Sequence, residues 1–236
     1  MLARFREASA HAFERAMADN TQQIIGLLDA PGTEAMLDVG CDDGEKTLLF
    51  ARALGATCIC GTEVVEERVA VARSRGIQVT IADIEDGFPF PDAGFDVVTS
   101  NQVIEHLADT DRFVREVYRV LRPGGFAVIS TENLASWHNI AALILGWQPF
   151  SLTNVTAQRL GLGNPLALHR EESWEQPPTW QHRRVFAYRA LVELFESHGF
   201  EVAAVCGAGY YPLPRSVARL EPRHAAFLTV KVIRPA

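Results

Sequence analysis

No apolar run in this chain of 236 residues comes near the length of about 18 that a membrane helix needs. The longest, Ile140 to Trp147, is interrupted by Gly146, so no membrane span is expected. No secretory leader is expected either, because Arg4, Arg6, Glu7 and Glu14 break the basic-then-apolar order of a signal peptide. Cysteine is scarce, and Cys41, Cys58, Cys60 and Cys206 offer neither a CxxC pair nor a disulfide framework. Cys58 and Cys60 alternate on one expected strand, as small core residues do. Together these absences point to a cytoplasmic protein. Basic charge is in deficit as well: 22 Lys and Arg against 29 Asp and Glu leave a net charge of −7. Phosphate neutralisation normally needs a basic patch, so no nucleic-acid partner is expected, although Arg183-Arg184 could form a local one. A small-molecule partner fits better. Nothing indicates a homo-oligomer, and no internal repeat or low-complexity tract is present.

What the chain has is alternation. Strand-like runs at 35–40, 57–63, 78–83, 95–100 and 126–131 are separated by helix-like runs at 45–54, 66–75 and 109–121, the last closed by Pro123-Gly124-Gly125. Repeated βα units of this kind build a parallel sheet. Ahead of them, Phe5, Ala8, Phe13, Met17, Ile24, Ile25 and Leu28 mark one or two amphipathic helices in residues 1–34, ended by Pro31-Gly32. That segment either covers a cleft at the sheet or simply packs. The rhythm breaks at Glu132. Residues 134–187 show no βα unit, yet hold Trp137, Trp147, Trp174 and Trp180 along with His138, His169 and His182. A loop-rich aromatic stretch of that length suits a lid or a binding surface. A helix at 188–198 and strands at 200–206 and 225–233 complete the pattern.

The stretch Met36-Leu-Asp-Val-Gly-Cys-Asp-Asp-Gly-Glu-Lys-Thr47 runs from the first strand through a turn into a helix. In open α/β sheets the ligand lies outside the carboxyl ends of the strands, and this turn is its usual seat. Gly40 and Gly44 allow a sharp, close approach of the backbone, and Asp38 stands at the strand end. A dinucleotide site wants G-x-G-x-x-G, which is absent; Asp42 occupies the middle glycine position and Asp43 follows. Two carboxylates there oppose a pyrophosphate but tolerate an amino acid, whose ammonium they attract while helix amides receive its carboxylate. An NAD-dependent oxidoreductase is therefore disfavoured.

Leu37-Asp-Val-Gly-Cys-Asp-Asp-Gly44 resembles the first motif of the class I S-adenosylmethionine-dependent methyltransferases, and further stretches follow in order. Glu63 matches the acidic residue that grips the ribose diol, with Val64 beside it, and Asp83-Ile84 matches the pair next to the adenine. Phe95-Asp-Val-Val-Thr-Ser-Asn-Gln-Val-Ile-Glu-His-Leu107 and Val120-Leu-Arg-Pro-Gly-Gly125 are similar to the ubiquinone/menaquinone-biosynthesis-like (type 11) branch. The resemblance implies a Rossmann-like, doubly wound, mostly parallel seven-stranded sheet with an antiparallel last strand and helices on both faces. It covers residues 35–133 strongly and 185–233 as topology, giving one domain over 35–236 with the insertion at about 134–187. S-adenosyl-L-methionine is the implied cofactor, held by Asp38, Gly40, Cys41, Asp42, Gly44, Glu63, Val64, Asp83, Ile84 and Asn101.

The family usually carries glycine where Asp42 stands, so either the loop sits back from the ligand or Asp42 points to solvent as an ordinary turn residue. On the acceptor side, Gln102, Glu132, Asn133 and Trp137 are the candidate substrate contacts. His106, His138 and His182 are the candidate catalytic bases; His106 alternatively shapes the cofactor pocket. None of these histidines is spaced in sequence for a metal site with the others, so no metal is expected. The tryptophans serve as a binding platform or as the core of a lid. The expected activity is methyl transfer to a small molecule, with oxygen favoured over nitrogen or carbon because Ser100-Asn101-Gln102-Val103 replaces the Asn-Pro-Pro-Tyr type of sequence. The alternative is a methyltransferase-fold protein that binds the cofactor without turnover, as a sensor or assembly partner.

Overall fold

The computed structural model describes residues 2–30, 32–156, 158–168, 180–210 and 216–236, the side chains of residues 2–8 and 219 excepted. His169 and Trp174 therefore lie outside the described residues. Seven strands form one sheet: β1 Ala35–Val39, β2 Cys58–Glu63, β3 Gln78–Ile81, β4 Phe95–Asn101, β5 Leu121–Glu132, β6 Glu201–Ala208 and β7 Phe227–Ile233. Their order is β3-β2-β1-β4-β5-β7-β6. The first five run parallel, and β7 lies antiparallel to both β5 and β6. This is the Rossmann-like doubly wound sheet expected from the sequence, with its antiparallel last strand set inside the edge.

Helices cover both faces because successive side chains of each central strand point opposite ways. Met36, Val97 and Val128 face one layer, where they meet Ile24 of α1 (Leu2–Leu27), Leu28 just after it, and Phe50 and Leu54 of α2 (Glu45–Leu54). Their neighbours Leu37, Val98 and Ile129 face the other layer, formed by α4 (Thr110–Val120) and α6 (Tyr188–Ser197). α3 (Glu66–Ser74) buries Val69 and Ala72 against Ile77 and Val79. In α4 the buried residues Phe113, Val114, Val117 and Val120 recur at helical spacing, and Asp109 caps the helix by accepting the Arg112 N–H at 2.8 Å.

Two features differ from the sequence expectation, and another settles its choice between one helix and two. The segment before β1 is one continuous helix of 26 residues. It is fixed to the sheet by Asn20, a fully buried amide whose Oδ1 accepts from Ser130 at 2.9 Å and Thr229 at 3.0 Å. Pro123-Gly124-Gly125 does not separate a helix from a strand. Leu121 already pairs with Phe95, the tripeptide sits in an irregularity of β5, and regular pairing resumes at Val97 with Phe126. Gly125 is required there, since an added Cβ would lie 2.8 Å from the Asp96 carbonyl oxygen. Finally, the 134–187 stretch contains α5 (Trp137–Ile144) and a 3-10 turn at Phe150–Leu152, and a short α7 (Ser216–Leu220) with a 3-10 turn at Pro222–His224 lies between β6 and β7. Among the described residues, no helix is long and apolar enough to cross a membrane.

Candidate active site

The carboxyl ends of β1, β2 and β4 open into a cleft of about 930 Å³ lined by Asp38, Gly40, Cys41, Asp42, Glu63, Val64, Asp83, Ile84 and Asn101. That volume lies in the range of cofactor pockets. Each residue owes its place to a strand end or to the turn after it, which is why a sequence motif could locate it. Gly40 turns the chain at φ 75°, and a Cβ there would come within 2.5 Å of the Val103 side chain, so the sharp turn needs glycine. Its amide and that of Cys41 both donate to the Thr62 carbonyl, at 3.0 and 2.9 Å, tying the turn to β2. Gly44 is the exception among the expected cofactor residues. It does not line the cleft, and an added Cβ would strike Ile77 at 2.4 Å, so it permits close helix packing instead.

Asp38 is buried and accepts hydrogen bonds from Thr47 Oγ1 at 2.5 Å and Thr99 Oγ1 at 2.7 Å. Burial pushes its carboxyl up to about 6, with the two hydroxyls pulling the other way. Glu63 accepts three backbone amides: Asp42 at 3.0 Å on Oε2, and Val64 at 2.8 Å and Val65 at 3.0 Å on Oε1. Beside it Val64 is an exposed apolar side chain on the cleft wall, and Ile84 follows Asp83 in the same lining. Asp83 caps the 3-10 turn at Ile84–Asp86, accepting the Glu85 N–H at 3.0 Å. Carboxylate acceptors next to apolar side chains are the set that an amphipathic purine nucleoside requires, and the cleft fits the implied cofactor in that sense. Cys41 contributes a buried thiol that burial pushes well above its ordinary range, so it is not a nucleophile.

The two aspartates of the turn are each matched by an arginine. Asp42, at φ 49°, pairs with Arg68 at 3.3 Å across an exposed edge. Asp43 accepts the Glu45 N–H at 3.0 Å and pairs with Arg75 at 2.8 Å, and these contacts, the amide first, hold its carboxyl below the usual range. The turn therefore carries less net negative charge than its sequence implies, and repulsion of a phosphate is correspondingly weaker than the bare pair of carboxylates suggests.

The far end of the cleft is built by Gln102, Val103 and His106 after β4, Met17 of α1, and Asn154, Trp180 and Arg183 from the insertion. Asn101 is held by Asn20, whose Nδ2 donates to its Oδ1 at 2.9 Å. Gln102 has φ 60°, uncommon for a residue of its size and a form of backbone strain that concentrates at functional sites. His106 Nδ1 lies 3.2 Å from the Gln181 carbonyl, and its ring meets that of His182 edge-on at 4.8 Å. Burial and the neighbouring His182 push His106 down to about 4.

The other expected acceptor-side residues do not line this cleft. Asn133 is fully buried and fastens the segment before β7, donating to the carbonyls of Arg223 and Ala225 at 2.8 Å. Trp137 stacks on His224 at 4.5 Å and donates to Tyr210 Oη at 2.8 Å. His138 packs edge-on against Phe150 at 5.5 Å, and burial pushes it down to about 4. Glu132 and His182 sit behind the wall, 3.7 Å apart. Sequence inspection overlooked Glu105. Fully buried, it accepts from Thr131 Oγ1 at 2.9 Å through Oε2, while Oε1 has no hydrogen-bond partner. A lone acid within Val103-Ile104-Glu105-His106-Leu107 was the available signal.

Residues 37–129 match the family described as a methyltransferase domain. A protein named as a probable S-adenosylmethionine-dependent methyltransferase of Mycolicibacterium smegmatis is 43% identical over 102 residues, which are 42% of this chain and 38% of that protein. The 27-O-demethylrifamycin SV methyltransferase of Amycolatopsis mediterranei is 32% identical over 122 residues, covering 48% of this chain and 43% of that enzyme. The chain thus spans less than half the length of these two relatives. Over the whole fold, the crystal structure of an S-adenosylmethionine-dependent methyltransferase from Mesorhizobium loti superposes with a TM-score of 0.60 at 22% identity, covering 90% of this chain and 96% of that one.

Proposed function

From the match of residues 37–129 to a methyltransferase-domain family, we propose that the chain is a class I methyltransferase that binds S-adenosylmethionine in the β1–β4 cleft and methylates a hydroxyl of a small-molecule acceptor. The observation that carries this reading is the convergence of Asp38, Gly40, Glu63, Asp83, Ile84 and Asn101, distant in sequence, on one cleft whose opposite end is walled by the insertion. Glu63 would hold the ribose diol, Asp83 and Ile84 the adenine, and the Gly40–Asp42 turn the amino-acid portion.

When bound, the sulfonium supplies an electrophilic methyl group, so the protein's task is alignment and exclusion of water more than activation. The chain provides for alignment. Glu63 and the Thr62 carbonyl fix the turn through backbone amides, while Asn101 is oriented from behind by Asn20. Of the three candidate histidines, His106 is the one the cleft lining includes, and it is assigned to acceptor contact. Trp180, Asn154 and Arg183 would form the rest of the acceptor wall, a mix of ring face, amide and guanidinium suited to a polar ring-bearing molecule. Oxygen as the methylated atom is supported by the name of the Amycolatopsis relative, whose target is a 27-O position. All four cysteines are free thiols, which accords with the cytoplasmic setting proposed from the sequence.

The test is incubation with S-adenosylmethionine bearing a deuterated methyl group and a panel of phenols, alcohols and amines, read by mass spectrometry. Label on a hydroxyl-bearing acceptor supports the assignment. Label confined to amines overturns O-methylation, and cofactor binding with no transfer to any acceptor favours a non-catalytic sensor.

A further inference from the structure

We propose that Glu105, His106 and His182 form a binding site for one divalent transition-metal ion, of the class of Zn²⁺ or Co²⁺, at the acceptor-end wall of the cleft. One donor atom from each of the three residues lies within 4.8 Å of the others. Four-coordinate zinc has ligand bonds of about 2.0 to 2.1 Å, which places donors roughly 3.3 Å apart, so closure by up to about 1.5 Å completes the site. Sequence spacing hides this cluster, because two ligands are adjacent and the third is brought to them by the insertion.

The hydrogen bonds around the cluster prepare it for a cation. His106 Nδ1 faces the Gln181 carbonyl at 3.2 Å, and His182 Nδ1 faces the Ser151 carbonyl at 2.7 Å. A carbonyl can only accept, so in the neutral rings each Nδ1 carries the proton and Nε2 is the nitrogen left to ligate, the Trp180 carbonyl also lying near the His106 ring. An imidazole whose second nitrogen donates to a backbone carbonyl is the usual arrangement of a metal-ligating histidine. Glu105 Oε2 is fixed by Thr131, leaving Oε1 fully buried and without a partner. An orphaned buried carboxylate oxygen is costly in an apoprotein, and a bound cation relieves it. A second buried oxygen without a partner, Glu132 Oε2, lies 3.7 Å from His182 Nδ1. Among the described residues no Lys or Arg side chain pairs with Glu105 or Glu132, so two carboxylates stand ready to balance a doubly charged ion.

Two imidazoles and a carboxylate select a borderline transition metal over Mg²⁺ or Ca²⁺, which prefer an all-oxygen shell. Three protein ligands leave a fourth position, and His106 belongs to the cleft lining, so that position faces the cleft. On the reading of the cleft given above, an acceptor hydroxyl bound there would lose its proton more readily, as metal-bound water does.

The full chain, stripped of metal with a chelator and free of any histidine tag, is titrated with Co²⁺ and followed by visible absorption, then with Zn²⁺ by calorimetry. One equivalent of Co²⁺ giving intense tetrahedral-type bands that Zn²⁺ abolishes is expected. Glu105→Gln and His182→Asn should each weaken binding by more than about 100-fold, beyond the roughly 10- to 100-fold that losing an outer hydrogen-bond partner costs. His198→Asn, which alters a histidine paired with Asp111 elsewhere, should bind as wild type. No saturable binding, or binding undiminished in both ligand variants, overturns the site. Should those variants fail to fold, Co²⁺ added to labelled wild-type protein must shift the imidazole resonances of His106 and His182 before those of other histidines, and a shift elsewhere first overturns it. None of these readouts requires methyl transfer, so failure of the metal site and failure of the methyltransferase reading are distinguishable.

Discussion

The backbone N–H of Asp42 donates to Glu63 Oε2 at 3.0 Å, joining the turn after β1 to the end of β2 across the mouth of the cleft. With Val64 and Val65 donating to the other oxygen, one carboxylate organises three backbone amides around the place where a ribose would sit. Glu63→Ala removes this acceptor and the charge that would bind a diol. A loss of about 1.5 to 3 kcal/mol, roughly 10- to 100-fold in S-adenosylhomocysteine affinity, is expected from charge-assisted hydrogen bonds of this kind. Calorimetry on the variant measures it, and an affinity equal to wild type removes Glu63 from the site.

Asp42 itself is a tolerated residue in a glycine-type conformation, with φ 49° and an exposed partner in Arg68. Exposed ion pairs contribute about 0 to 1 kcal/mol, so little is lost with the side chain. Asp42→Gly should unfold in urea within about 1 kcal/mol of wild type, whereas Asp42→Val, branched at Cβ, should cost about 1 to 3 kcal/mol. Equal stability of the valine variant would show that the turn relaxes out of the left-handed region.

Asp38 makes stability depend on pH. Its carboxyl is raised from 3.8 to about 6, chiefly by burial, so the folded state holds the proton more tightly than the unfolded chain. The contribution is therefore greatest below pH 3.8 and is lost as pH rises through about 6. The unfolding free energy of wild type relative to Asp38→Asn should fall by about 2 to 3 kcal/mol between pH 4 and pH 7. Chemical denaturation of both proteins across that window checks this, and a flat difference contradicts it.

Asn20 links the N-terminal helix to the cleft. Its amide donates to Asn101 on the cleft wall and accepts from Ser130 and Thr229, which are buried like Asn20 itself. Asn20→Leu keeps the volume and strands three polar partners, for an expected loss of about 3 kcal/mol or more in stability. Asn101 loses its support at the same time, so KM for S-adenosylmethionine should rise even at temperatures where the variant remains folded. Steady-state kinetics alongside thermal unfolding separates the two effects.

The parts of the molecule legible in the sequence are those set by local rules. Strand alternation gave the sheet, and residues at strand ends, such as Glu63 and Asp83, come to the cleft because an open parallel sheet brings its carboxyl ends together. What stayed hidden depends on contacts remote in sequence. Trp137 and Asn133 look like acceptor contacts until the segment before β7 is seen to pack on them through His224, Arg223 and Ala225. The paired aspartates of the turn look strongly acidic until Arg68 and Arg75 are placed beside them from α3 and the turn after it. Glu105 and His182 are separated by most of the insertion, and no local pattern joins them.

Binding of the cofactor tests the central claim most directly. Calorimetric titration of the purified chain with S-adenosylhomocysteine should show saturable 1:1 binding, abolished or strongly weakened in Glu63→Ala. Absence of heat at high micromolar concentrations, with the protein folded by circular dichroism, would contradict the assignment of this cleft and with it the proposed activity.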